Sequence, residues 1–447
     1  MTEHLAEHSL YTMATSEDAS QFGDYEQEWV PLLTETTVND VTGRAIAQCK
    51  RYFINPYKIW LVCVGWDNYD ESPSKPAKIL RWIWATIFFI ILNCTLVTQI
   101  ITCFRRDQPS PTNTTHNYNT GEVKVVIECG TSIGSIFVVP DILLILTYVY
   151  GLLLFSRGDS DYLHKLSGEV FVQCASFKRW SEPKPTLLIF TVLSFLVLAV
   201  AYTIFSLLVR IMYAFAFELF KEHVRIHWPS MDIHGEVKMM LVVFSFVGFV
   251  FLDMVYSAAI INHAAQCELN IYFLHAVKLK VEERHYSEVD EAIKDIGKCY
   301  NFLKTLNGRT ASLTGLILFN VASAALGGII NLSYDAESSF KVAVVTLNTI
   351  LWSLLVVFPF LQAARVTSAC SEVLATGPLI RRRPFLYQEC SQVDLDSYCQ
   401  FTNSIILRAE MLGIPIYPWM AYVAAVTFCF TLLILWQTGA YSYTSWL

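Results

Sequence analysis

Two aspartates and one arginine stand inside long apolar stretches: Asp141, Asp253 and Arg210. Ionisable groups at such depth are costly, and they mark ion paths, proton relays or ligand sites. Paired intramembrane carboxylates are the machinery of aspartyl proteolysis. That chemistry needs both acids in one site with flexible glycine-rich flanks. Val139-Pro140-Asp141 and Leu252-Asp253-Met254 lack such flanks. The expected roles are therefore local: Arg210 snorkels toward the outer surface, and Asp253, in the inner half of its segment, pairs with a near neighbour. No nucleophile motif, phosphate loop, HExxH or CxxC occurs, and His263, His275 and His285 are too widely spaced for one ligand cluster. No catalytic residue, metal or cofactor is expected. A second candidate is the last apolar segment. There Thr427, Thr431, Ile434 and Thr438 fall within about 60° of one another on a helix, flanked by Phe430 and Gln437. A narrow, uncharged, weakly polar face suits hydrated ions, and Ile434 or Leu435 could close it by dewetting. The same hydroxyls could instead bond back to i−4 carbonyls in an ordinary packed helix.

Such residues need helices in lipid to hold them. Seven long apolar segments run roughly over Ile79–Phe104, Ile127–Phe155, Thr186–Tyr213, Val237–Asn262, Leu313–Leu332, Phe340–Ala364 and Tyr417–Gly439. Each is about 20 residues or longer, enough to cross a bilayer core of about 30 Å as a helix. Lipid offers the backbone no hydrogen bonds, so spanning segments of this kind must be helical. The chain is 54% hydrophobic with mean hydropathy +0.42, which excludes most soluble enzyme classes, and its net charge of −7 does not suit nucleic acid.

Loop charge sets the orientation. The loops 105–126, 214–236, 331–339 and 440–447 hold only Arg105, Arg106, Lys124, Lys221 and Arg225. Arg81, Arg210, Lys238 and Lys341 lie in or at the edges of segments, and the rest of the 32 basic residues fall on the other side. The positive-inside rule makes that basic side cytosolic. The N-terminus is then inside and the C-terminus outside. Sequons at Asn113 and Asn331 fall in expected outer loops and are candidate glycosylation sites, whereas the sequon at Asn93 lies within the first helix. Cys103 and Cys129 sit at the outer edges of the first two helices and read either as a disulfide or as two free thiols.

The expected organisation is an acidic, disordered cytosolic tail (1–43), a cytosolic N-terminal segment (44–78), helices one to six (79–364, with cytosolic extensions at 262–312), a cytosolic segment (365–416), helix seven (417–439) and an extracellular C-terminus (440–447). The outer loops look too short for a folded domain. On the inner side, a helix is expected to start near Ser287 and to end at the turn signal Asn307-Gly308. Its apolar stripe is Val289, Ile293, Ile296, Tyr300 and Leu303. A further amphipathic piece over Val393–Met411 is broken by Gly413 and Pro415. This helical layer either packs within one subunit or joins several.

Seven helices, an inner N-terminus, an external C-terminus, short outer loops, a cytosolic helical layer and a last helix with Thr427-Phe428 followed by a polar-apolar face together resemble the insect olfactory and gustatory receptor superfamily. Its seventh helix carries Thr-Tyr, five apolar residues and Gln-Phe. Here Thr427-Phe428 is followed by Cys429 to Leu433 and then Ile434-Leu435, with Gln437 three positions late. The resemblance implies an all-α membrane protein of the plasma membrane: a homotetrameric, ligand-gated, non-selective cation channel. Its pore would be lined by Thr427, Phe430, Thr431, Ile434, Leu435, Gln437 and Thr438. Its small-molecule pocket would draw on Tyr202, Ser206, Arg210, Ser245, Asn320, Ser323, Thr346, Asn348 and Trp352. Its partners would be membrane lipid, a small ligand, cations and further copies of itself. The rival readings are a transporter or lipid-handling protein, and a G-protein-coupled-type receptor. The latter predicts the opposite orientation.

Overall fold

Apolar residues on all sides of a helix mean burial in lipid, and the polar residues among them must find partners within the chain. The computed structural model describes residues 43–66, 75–102, 112–116, 123–128, 133–155, 160–175, 185–216, 224–228, 231–233, 235–283, 286, 289–334, 339–382, 387, 390–427, 429, 430 and 433. The expected spans appear as α2 (Lys75–Thr102), α3 (Ile133–Leu154), α5 (Pro185–Ala216), α6 (Gly235–Glu282), α8 (Ala311–Tyr334) and α9 (Ser339–Leu374). They are followed by a helix over 418–427, α12. Among the described residues five helices are long and apolar enough to cross a membrane, and the chain is a multi-pass membrane protein. Along α2 the hydroxyls of Thr86, Thr95 and Thr98 donate to the carbonyls of Trp82, Ile91 and Cys94, at 2.7, 2.8 and 2.7 Å. Bonding back four residues keeps these groups off the lipid.

Helix α6 organises the bundle. Its 48 residues span about 70 Å, far more than a bilayer, so its inner half forms a cytosolic stalk. It packs against α2, α5, α8 and α9, and against α1 (Asn55–Val64), α4 (Ser160–Ala175) and α7 (Val289–Thr305). At the inner mouth, Arg365 of α9 grips Glu268 with both guanidinium ends, Nη1–Oε2 at 2.8 Å and Nη2–Oε1 at 3.3 Å. Where α6 meets α2, Gly248 is obligatory: a Cβ there would lie 1.8 Å from Thr95 Oγ1. Gly248→Ala is expected to force the helices apart and to cost about 1–3 kcal/mol. Thermal midpoints in one detergent check this, with Thr95→Ala added to Gly248→Ala expected to recover part of the loss.

The outer loops depart from expectation. Strands β1 (Thr112–His116), β2 (Val123–Glu128), β3 (Val224–Trp228) and β4 (Met231–Ile233) form one four-stranded sheet. β1 and β2 are antiparallel, β2 and β3 are parallel with Val125 opposite Val224, and β3 and β4 are antiparallel. The sheet joins the α2–α3 loop to the α5–α6 loop, which requires both to lie on one side of the membrane. Ile127, expected to open helix two, is instead in β2, and the helix starts at Ile133. A β-branched run such as Val125-Val126-Ile127 fits a strand as well as a buried helix. Asn113 lies in β1, and Asn331 lies near the end of α8 rather than in a loop. Cys103 and Cys129 fall outside the described residues.

The segment before helix one, expected as a cytosolic N-terminal segment, contains a packed helix. Residues 43–49 are helical, Lys50–Ile54 form a π turn, and α1 follows. Gly65 caps α1 in the left-handed region at φ 82°, accepting the chain reversal that L side chains resist. It delivers Trp66 into a slot beside Gly151, where a Cβ would meet the indole at 2.5 Å. Trp66 Nε1 donates to the Tyr148 carbonyl at 3.2 Å, and the Tyr148 hydroxyl donates to the Val64 carbonyl at 3.0 Å. Phe88 and Phe155 stack on this pair.

Candidate functional site

Arg210 does not snorkel. Its Nη2 lies 2.7 Å from Asp253 Oδ1, with the two residues only 4% and 1% exposed. The pair joins α5 to α6 across 43 residues of sequence, so Asp253 does not pair locally either. Lipid explains the correction. A carboxylate on the facing helix neutralises the guanidinium in place, so the side chain need not extend to water. Aromatic faces complete the shell: the guanidinium carbon sits 4.5 Å from the Phe249 ring centre and 5.9 Å from that of Trp352. Arg210 Nε and Nη1 have no hydrogen-bond partner among the described residues.

From Trp352 the network continues. Its Nε1 donates to Asn348 Oδ1 at 3.1 Å, and its ring meets Tyr256 edge to face at 6.0 Å. The Tyr256 hydroxyl donates to Asn320 Oδ1 at 2.7 Å. The structure therefore brings together Arg210, Asn320, Asn348 and Trp352, from α5, α8 and α9, around α6. It adds Phe249, Asp253 and Tyr256, which were not expected there. Asn348 and Trp352 share a face because they are four apart, which is legible in sequence; the α6 residues face them only through the helix packing. The other expected positions behave differently. Ser245, Ser323 and Thr346 donate to carbonyls of their own helices, those of Leu241, Asn320 and Val342. Ser206 is buried and Tyr202 half-buried.

Of the expected pore positions, Thr427 and Phe430 are exposed, and Thr431, Ile434, Leu435, Gln437 and Thr438 lie outside the described residues. On the described part of this helix Trp419, Tyr422, Val423, Val426, Phe430 and Leu433 are all exposed. The helix is reached through an unexpected device. The amphipathic stretch is helical only as α11 (Gln392–Ser404), and the chain then runs extended into a hairpin of β5 (Glu410–Met411) and β6 (Ile414–Pro415). Its turn, Leu412-Gly413, has positive φ at both residues, 51° and 76°. That is the pattern of a two-residue hairpin turn matched to strand twist.

The hairpin is clamped at Asn307. Asn307 Nδ2 donates to the Arg408 carbonyl and its Oδ1 accepts from the Glu410 N–H, both at 2.9 Å. One carboxamide thus imitates a neighbouring strand. Asn307 can do this because helix α7 does not end at Asn307-Gly308 as expected. It passes through a π turn, Leu306–Thr310, directly into α8. The extra residue of a π turn displaces side chains from the helical register, and such turns gather at functional positions. Thr310 holds the turn to α6 by donating to Gln266 Oε1 at 2.9 Å.

Helix α7 packs on most of its expected stripe: Ile296 and Leu303 are buried, and Val289 and Ile293 lie against the core. Its buried face is Ala292, Asp295, Ile296, Cys299 and Leu303, while Tyr300 is exposed. Asp295 is kept because it is satisfied: Gln173 Nε2 donates at 2.7 Å, Tyr286 Oη at 3.0 Å, and Lys298 lies at 3.1 Å. Burial raises the Asp295 pKa, but the bonds from Gln173, Lys298 and Tyr286 outweigh it and hold the carboxyl below its ordinary value. A depressed carboxylate stabilises above its unfolded pKa and loses that contribution as pH falls through the folded one. The cytosolic layer is therefore expected to weaken only under acid, below the ordinary carboxylate range, and Asp295→Asn to remove that slope. Thermal midpoints measured across pH in wild type and variant check the sign.

No protein-family model and no curated protein matches the sequence. Solved structures do match the fold. The insect olfactory receptor OR5 from Machilis hrabei in complex with eugenol superposes with TM-score 0.61 at 12% identity, covering 88% of this chain and 99% of that chain. The structure of OR5 from Machilis hrabei matches with TM-score 0.55 at 14% identity, covering 86% and 97%. This chain has the fold of an insect olfactory receptor.

Proposed function

We propose that the chain is a chemoreceptor-like subunit of a ligand-gated, non-selective cation channel of the plasma membrane, four copies of which surround one pore. The observation that carries this is the fold likeness, over 88% of this chain, to a receptor solved with a small aromatic ligand, eugenol. The last helix supports it. Ala421 is buried, but most of the surrounding positions are uncovered by their own subunit, which is what a helix facing an axis shared with other copies requires. The proposed pore face remains Thr427, Phe430, Thr431, Ile434, Leu435, Gln437 and Thr438.

The ligand site is the Arg210–Asp253–Trp352 network with Asn320 and Asn348. The two Arg210 donors without partners suit a ligand carrying a hydrogen-bond acceptor, and the Phe249, Tyr256 and Trp352 rings suit an apolar or aromatic body. Binding opens the pore only as far as the ligand prefers the open state over the closed one. The test is single-particle imaging of purified protein together with voltage-clamp recording under a panel of small molecules. A four-fold particle with the last helices on its axis, and ligand-evoked cation current, is expected. A monomer, or an oligomer with no central helix, overturns the reading.

A further inference from the structure

The helical stretch from residue 43 to Val64 has one face packed and one face bare. Ala45, Cys49, Phe53, Ile54, Tyr57, Leu61 and Val64 are buried. The Tyr57 hydroxyl donates to the Ala258 carbonyl at 3.3 Å, and one turn later Trp60 Nε1 donates to the Met254 carbonyl at 3.1 Å. As residue numbers rise in α1 they fall in α6. Since α6 descends toward the cytosol, α1 climbs into the inner half of the membrane. Its top is pinned there: Trp84 Nε1 of α2 donates to the Cys63 carbonyl at 3.1 Å, beside the Tyr148 bond to Val64.

The bare face changes character along this climb. At its lower end it shows Gln48, Lys50, Arg51 and Tyr52, with the Arg51 guanidinium 5.6 Å from the centre of the Tyr52 ring. Lys58 follows half-buried. Above it the exposed residues are Ile59 at 60%, Val62 at 37% and Cys63. On α2 alongside, Ile79, Leu80, Trp82 and Ile83 are exposed and apolar, as a lipid-facing surface should be. A helix in water alone gains nothing from exposed Ile59 and Val62, and one buried in another protein gains nothing from exposed Lys50 and Arg51. The gradient from cationic to apolar, with an aromatic at the boundary, matches the section of a bilayer leaflet from headgroup to acyl chain.

We propose that this face is a binding site for anionic glycerophospholipid of the cytosolic leaflet, Lys50 and Arg51 holding the phosphate-bearing headgroup while Ile59 and Val62 lie against its chains. The chemistry recognised is a membrane-embedded phosphate with net negative charge, of the phosphatidylserine class. Basic residues at a membrane surface draw such lipids by Coulomb attraction that fades within a Debye length, so the site is salt-sensitive.

The test uses the full-length protein reconstituted in phosphatidylcholine, with and without phosphatidylserine as a minor component. Lipid retained after gentle detergent release is counted by native mass spectrometry. Wild type is expected to retain phosphatidylserine above its bulk proportion. Lys50→Gln with Arg51→Gln is expected to lower that preference by about 25-fold, at about fivefold per basic residue. Lys294→Gln with Lys304→Gln, removing the same charge from exposed positions on α7, is expected to leave it unchanged. Thermal midpoints in pure phosphatidylcholine confirm that both variants fold. The proposal is overturned if wild type retains the two lipids in bulk proportion. It is equally overturned if the α1 variant keeps the preference, or if the α7 variant loses it as much. A second copy of the chain covering this face would give the first of these results.

Discussion

Replacing Arg210 by Met alone is expected to cost about 3–5 kcal/mol of folding stability, because it strands Asp253 as an unpaired buried carboxylate. The pair is as dry as any in the described structure: both side chains are nearly inaccessible, and the ring of Phe249 closes over the guanidinium. The cost comes from the charge left behind rather than from the bond removed. Asp253→Leu alone is expected to be equally harmful, since it abandons the guanidinium. The double variant, Arg210→Met with Asp253→Leu, is expected to lie within about 1 kcal/mol of wild type, because two facing apolar side chains need no compensation. Thermal midpoints and monodisperse yield in one detergent distinguish these outcomes. A double variant as unstable as the singles would sink the argument. The same double variant tests the ligand site. If Arg210 donates to the ligand, the protein folds and conducts poorly or not at all on stimulation, a split that a purely structural pair would not produce.

This pair also shows what could be read from the residues. The positions of Arg210 and Asp253 within apolar runs marked them as costly, and cost is a property of a single residue and its window. Their mutual distance depends on how α5 crosses α6, which no window contains. The span positions were legible for the same local reason. The strands were not. Val224 to Trp228 alternates apolar and polar residues, but the pattern is short, and its partner β2 arrives from a loop about a hundred residues earlier. The face of α7 was legible from its apolar spacing except at Tyr300, which is exposed, and at Asp295, a charge that the apolar stripe could not reveal as buried. Two donors from outside the helix, Gln173 and Tyr286, and Lys298 one turn along it offset the desolvation of Asp295 and let the helix turn it inward. Asn307-Gly308 read as a stop because turn residues stop most helices. Here the helix absorbs them as a π turn, and Asn307 spends its carboxamide on a distant backbone.

That carboxamide carries the second large effect. Asn307→Ala is expected to free the Arg408 carbonyl and the Glu410 N–H together, costing about 1–3 kcal/mol, toward the lower end because the site is only partly buried. A further tether is the Thr367 hydroxyl, which accepts from the Ala409 N–H at 3.1 Å. The hairpin turn rests on α8, where a Cβ on Gly315 would meet Leu412 Cγ at 2.6 Å. The chain connection from the bundle to the last helix therefore runs through this short segment. In the channel reading the hairpin transmits the state of α8 and α9 to the pore. Loosening it by about 1.4 kcal/mol shifts a closed-open equilibrium by about tenfold if only one state keeps the clamp. Asn307→Asp separates the two halves of the bond: it still accepts from Glu410, cannot donate to Arg408, and sets a second carboxylate beside that of Glu410. It is expected to disturb gating at least as much as alanine. Baseline and ligand-evoked currents, read with thermal midpoints, decide the matter. Gating left unchanged in Asn307→Ala, at reduced or unreduced stability, would show that the clamp holds the fold and carries no signal.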